Sequence, residues 1–176
     1  MTEEQIREIV RNFVWEFWQD LTRKAGQMLP GADMDLSAKL PPEAWANPFP
    51  WRMEAQEWLA MARYGAGLLP NADPSEIYEI CQSLADWLFA FPGTSHYTIP
   101  AEWSETPMGA LWAMAFARVQ GDELITMAQA AQIAGVTVQA IAGRIDRGAL
   151  TSYADPSAPN PQKGRRLVRR NDIKTT

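Results

Sequence analysis

Between residues 3 and 29 the apolar positions Ile6, Val10, Phe13, Phe17 and Leu21 recur at steps of three and four. That period lays one stripe along a helix. Glu3 and Glu4 at its start, and Arg23 and Lys24 near its end, complement the helix dipole. Val14, Trp15 and Trp18 fall off the stripe and widen the apolar face. Such a helix must be covered, either by other parts of its own chain or by a second copy.

The pattern then breaks. Residues 30–51 hold Pro30, Pro41, Pro42, Pro48 and Pro50, which predict a loop, while Trp45, Phe49 and Trp51 predict that it packs on the body. Helical periodicity returns over 54–69, weakened by Gly65 and Gly67. A third helix is announced by Asp73 as cap, Pro74 in the first helical position and Glu76 three after the cap, and it ends before Pro92-Gly93. Residues 93–105 read as a connector with a short extended piece. A fourth helix starts at Thr106-Pro107 and ends at Gly121.

Beyond Gly121 the elements shorten. Thr126 and Gln129 form a Thr-x-x-Gln capping box, so a helix starts at Met127 and stops at Gly135. Val136 follows as an apolar plug, and Thr137 caps a second helix with Ile141 and Ile145 on one face, ended by Gly148. Ala130, Ala131 and Ala134 let the two helices approach closely. Cap, helix, glycine, plug, cap, helix and glycine in that order describe a helix-turn-helix. Residues 149–153 and 165–170 read as short strands flanking a tip that contains three prolines, which makes a wing. Alternation places Leu167 and Arg169 on one face of the second strand and Arg166, Val168 and Arg170 on the other.

Charge divides the chain at the same place. Residues 1–121 carry eight Lys and Arg against sixteen Asp and Glu, whereas 122–176 carry eight against five. All eight tryptophans lie in the first part. The expected organisation is a helical domain over 1–121, of about four helices, and a winged helix-turn-helix over 122–176. The fold class is mainly α with a small β-hairpin. An acidic body with a basic end points to a nucleic-acid partner at that end. The basic residues from Lys163 onward, namely Lys163, Arg165, Arg166, Arg169, Arg170 and Lys174, are the candidate phosphate contacts.

Catalysis finds little support. His96 has no motif partner, and Cys81 lies mid-helix between Ile80 and Leu84, where a buried inert thiol is expected. Metal-ligand spacings and phosphate-loop or nucleophile-elbow motifs are absent, so neither a metal nor a cofactor is expected. Glu16, Asp20, Glu54, Glu57 and Glu79 read as solvated helix faces. The tryptophans read as aromatic core or as the lining of a ligand pocket. A single cysteine, an acidic amphipathic start and the lack of an apolar run long enough to span a membrane predict a cytoplasmic protein.

The segment from Ile125 to Ile173 resembles the excisionase/MerR-type winged helix-turn-helix family. Ala130-Ala131, Gly135-Val136-Thr137, Arg147-Gly148-Ala149-Leu150, Arg165-Arg166 and Asp172-Ile173 carry the resemblance, which covers about residues 123–173. It implies sequence-selective binding of duplex DNA as a dimer or cooperative multimer, in transcription control or in directing recombination. On the recognition face this chain places Val138, Gln139, Ala142, Gly143 and Asp146, where family members often carry basic or aromatic residues.

The expected function is therefore a sequence-specific double-stranded DNA-binding regulator, a dimeric repressor. Gln139 is suited to base edges, Val138 and Ala142 to thymine methyls, Thr137 to a phosphate at the helix start, and Arg144 and Arg147 to phosphates at the flank. The helical domain is expected to dimerise, bind a partner protein or sense a small effector, with no membrane partner. The alternatives are an excisionase-like architectural factor and a protein-interaction adaptor with a degenerate helix-turn-helix. They separate by DNA-bending, promoter-repression and pull-down assays.

Overall fold

Most of the helices begin where the sequence supplies a cap. Asp73 accepts a hydrogen bond from the Ser75 backbone N–H at 2.8 Å, and Thr106 accepts one from that of Gly109 at 2.9 Å. Each satisfies an orphan donor of the first turn, with Pro74 or Pro107 just inside. The computed structural model describes residues 1–28, 41–90, 98–158 and 165–173. Its described elements are mainly helical, with a small three-stranded antiparallel sheet.

The first four long helices are α1 (Glu3–Met28), α3 (Met53–Gly65), α4 (Pro74–Phe89) and α6 (Pro107–Val119). Two single-turn helices, α2 (Glu43–Ala46) and α5 (Ala101–Ser104), interrupt the stretches expected to be loop and connector. Helix α6 lies centrally, packed on α3, α4 and α1. Around it Ile6, Met61, Leu84 and Leu111 are fully buried. The buried line of α1 is Ile6, Val10 and Val14, with Phe13 and Phe17 only half-buried. Val14 thus belongs to the stripe from which the spacing excluded it, because it follows Val10 by one helical turn. Helix α1 also runs past Arg23 and Lys24, which pair with Asp20 and leave no basic residue described in the last turn.

Gly65 has a packing role. A Cβ there would come within 2.8 Å of the Leu111 carbonyl oxygen and 2.9 Å of the Ala115 nitrogen. The glycine lets the end of α3 cross α6 at backbone contact, so it does more than weaken a helix.

The tryptophans do not form one core. Trp58 and Trp112 are buried, while Trp15, Trp51 and Trp87 are exposed. Trp18 and Trp45 flank Arg52, whose guanidinium carbon lies 4.2 Å and 4.6 Å from the two ring centroids. Burial lowers the Arg52 pKa from its ordinary value. Cys81 is fully buried, and burial pushes its thiol up to about 12. Among the described residues no helix is long and apolar enough to cross a membrane.

A second, smaller core holds Ile125, Ala130, Ala131, Ala134, Ile141, Leu150, Val168 and Ile173. It is enclosed by β1 (Leu124–Thr126), α7 (Met127–Ala134), α8 (Val138–Asp146), β2 (Tyr153–Ala154) and β3 (Arg166–Arg169). The sheet order is β1-β3-β2, with Ile125 opposite Val168 and Tyr153 opposite Leu167. The sequence pattern does not predict β1, since three residues are too few to show alternation. The expected strand over 149–153 shrinks to Tyr153–Ala154, because Leu150 turns into the second core. Both faces of β3 are covered: Leu167 and Val168 are each buried. Leu124 and Tyr153 pack against the first core, so the two cores meet across α6, β1 and β2.

Candidate nucleic-acid interface

Helices α7 and α8 are set by paired caps. Thr126 and Gln129 bond reciprocally at the start of α7, and Thr137 accepts from the Ala140 backbone N–H at 3.2 Å at the start of α8. Between them Gly135 sits at φ 64°, a left-handed conformation that costs other residues more. The turn holds Val136 against the second core. Ile141 is buried from α8 and Ile145 half-buried, so the opposite side of α8 faces out.

That outward side begins at the cap. Thr137, Val138 and Gln139 are all exposed, Val138 at 43%. Gln139 makes no side-chain hydrogen bond among the described residues, so its amide is free to bond elsewhere. Ala142 and Arg144 are half-buried and Arg147 is exposed. A Cβ on Gly143 would lie 3.2 Å from Arg147 Nη1. The Arg147 guanidinium therefore folds back over Gly143, and α8 carries two cations at its C-terminal end, where the helix dipole favours them.

The hairpin is framed by Asp155. Its backbone N–H donates to the Arg165 carbonyl at 2.9 Å, and its carboxylate accepts from the Ser157 N–H at 2.9 Å and the Ser157 hydroxyl at 2.6 Å. The backbone bond continues the β2–β3 pairing one residue beyond Ala154 and Arg166. Arg165 and Arg166 follow, exposed and without an ion pair among the described residues. Lys163, expected beside them, lies outside the described residues, as does Lys174.

Arg169 and Arg170 differ from the other two. Arg169 Nε lies 3.3 Å from Asp122 Oδ2, and its Nη2 donates to Gln120 Oε1. Arg170 Nη1 lies 2.6 Å from Glu123 Oε1. The Asp122 carboxylate also accepts from the backbone N–H of Glu123 at 2.8 Å and of Asn171 at 3.2 Å. The two arginines are thus tied to the segment leading into β1. The short sequence Gln120-Gly121-Asp122-Glu123 was legible only as a boundary; its acids are partners for β3, a pairing that no local spacing reveals. The pairs are unequal. Arg170 and Glu123 are both more than half exposed, which makes their bond worth about 0–1 kcal/mol. The Asp122 side chain is 3% exposed, and breaking its pair leaves a buried charge.

His96 lies outside the described residues, and among those described no cluster of three or more His, Cys, Asp or Glu is placed to hold a metal ion. No family model matches the chain, and no curated protein or solved structure gives a significant match to it.

Proposed function

We propose that the chain is a sequence-specific double-stranded DNA-binding protein, a transcriptional repressor that acts as a dimer through its helical part. In this reading α7 and α8 are a helix-turn-helix, α8 enters the major groove, and the β2–β3 hairpin is a wing that meets the backbone or the minor groove. One observation carries it: the start of α8 is capped, with Thr137, Val138 and Gln139 exposed and free of side-chain bonds apart from the Thr137 cap, in a unit with its own core that also presents Arg165 and Arg166, unpaired among the described residues.

The roles follow from chemistry. The Gln139 amide can bond an adenine edge at two points, and Val138 and Ala142 offer apolar contact to thymine methyls. Thr137 marks a helix start that favours a phosphate. Arg144, Arg147, Arg165 and Arg166 supply sequence-independent, salt-dependent affinity, and Lys163 joins them by its place in the sequence. Arg170 can exchange its exposed partner for a phosphate at small cost. Arg169 cannot, so its main role is to hold the sheet to the segment before it. The test is a salt titration of binding between the full chain and labelled duplex fragments, with and without Arg165→Ala and Arg166→Ala.

A second reading, a protein-interaction adaptor, is favoured by Trp51 and Trp87, which are 50% and 52% exposed on the helical part. Exposed aromatics of that size suit a partner protein. It predicts no duplex binding at low salt and recovery of a partner that is lost on Trp87→Ala.

A further inference from the structure

A cleft of about 540 Å³ separates the helical part from the end of α8 and the small sheet. That volume is in the range of small-molecule sites. Trp103, Trp112 and Phe116 line one side, and Ile145, Leu150 and Tyr153 the other. Trp112 and Phe116 are held as a parallel stack, with centroids 5.1 Å apart and planes within 8°. The Trp112 indole N–H is already bonded to the Cys81 carbonyl at 2.9 Å, so its ring offers the cleft an apolar surface rather than a donor.

The polar groups of the cleft are chiefly donors. Thr151 and Ser152 contribute hydroxyls, and Tyr153 a phenol that burial pushes above its ordinary pKa and so keeps protonated. Arg166 and Arg169 both line the cleft. Arg169 is neutralised by Asp122, whereas Arg166 has no ion-pair partner among the described residues. Among the described lining residues Glu105 is the one carboxylate, and it is exposed and so belongs to the rim; Asp122 and Asp172 act on Tyr153 from outside the lining.

We infer that this cleft is a binding site for a small aromatic monoanion, its rings lodged between the Trp112–Phe116 stack and Leu150 and its carboxylate or sulfonate on Arg166. An unpaired guanidinium at the edge of an aromatic cleft selects an anion by charge-assisted hydrogen bonds. The exposed carboxylate of Glu105, which also lines the cleft, disfavours a second negative charge on the ligand. Such a ligand bridges the helical part and the α8–sheet unit, the place an effector would occupy. That regulatory sense rests on the DNA-binding reading; ligand binding itself does not.

The test uses the full chain without DNA. Calorimetric titration compares 8-anilinonaphthalene-1-sulfonate with neutral N-phenyl-1-naphthylamine, which has the same rings and no sulfonate. The anion binds one-to-one and about tenfold more tightly than the neutral compound, the worth of one charge-assisted contact. Arg166→Gln removes that preference and leaves the neutral compound within about twofold. Thr151→Trp, at an exposed position of the cleft wall, fills the space and weakens both about tenfold or more. Equal binding of the two compounds, a preference that survives Arg166→Gln, or binding untouched by Thr151→Trp would each overturn the inference.

Discussion

Arg169 and Asp122 join the last strand of the sheet to the residue that follows the helical part, with Nε 3.3 Å from a carboxylate oxygen whose side chain is almost wholly buried. The carboxylate takes two backbone N–H bonds as well. Removing a charged acceptor from such a site leaves three donors without it. Asp122→Ala is therefore expected to cost about 2–4 kcal/mol in urea unfolding. Glu123→Ala, which breaks only the exposed pair with Arg170, should cost under about 1 kcal/mol. Equal costs would show that the buried pair does not anchor the sheet.

Two of the helical glycines, Gly65 and Gly143, should respond to alanine in opposite directions. At Gly65 the new methyl meets backbone atoms of α6 at 2.8 and 2.9 Å, which cannot retreat without moving the helix. Gly65→Ala should destabilise the fold by about 1–3 kcal/mol. At Gly143 the only close atom is the far end of the Arg147 side chain, at 3.2 Å. The gain in helix propensity then dominates, and Gly143→Ala should stabilise by up to about 1 kcal/mol. Thermal unfolding of the two variants distinguishes these signs.

Cys81 makes the fold sensitive to alkali. Its thiol has an ordinary value of 9.0 and is pushed up to about 12 by burial. The folded state therefore holds the proton over a range in which the unfolded chain releases it. The contribution is fully present below about pH 9 and is lost as pH rises toward 12, by up to about 1.4 kcal/mol per pH unit. Cys81→Ala should flatten the alkaline fall in stability relative to the parent. A thiol reagent at pH 8 should label the native chain slowly and take up one equivalent in denaturant.

Much of the helical layout was legible because caps and prolines act locally. Asp73-Pro74, Thr106-Pro107, Thr126 with Gln129, and Thr137 each start a helix where the sequence reading puts one. What escaped depends on contacts distant in sequence. The Gly65 crossing needs Leu111 and Ala115, strand β1 needs β3, and the restraint on Arg169 needs Asp122, 47 positions away in the chain. Read locally, Arg169 and Arg170 were two more cations in a basic run. Of the cleft, the sequence shows only tryptophans able to line a pocket; its second wall comes from residues 145–153.

Specificity and affinity should separate by residue. Gln139→Ala should lose about 1–3 kcal/mol at a preferred site and little on unrelated duplex. It should leave the salt dependence unchanged, because no phosphate contact is removed. Competition with random-sequence duplex measures the first, and a salt titration the second.

The salt dependence of duplex binding by the full chain tests the central claim most directly. Affinity should fall linearly on a log–log plot against salt. Replacing Arg165 and Arg166 together by Ala should weaken binding to all sequences and flatten that slope by up to about two units. Arg169→Ala should lower stability and change the slope far less. Absence of duplex binding at low salt, or a slope indifferent to Arg165 and Arg166, would contradict the account.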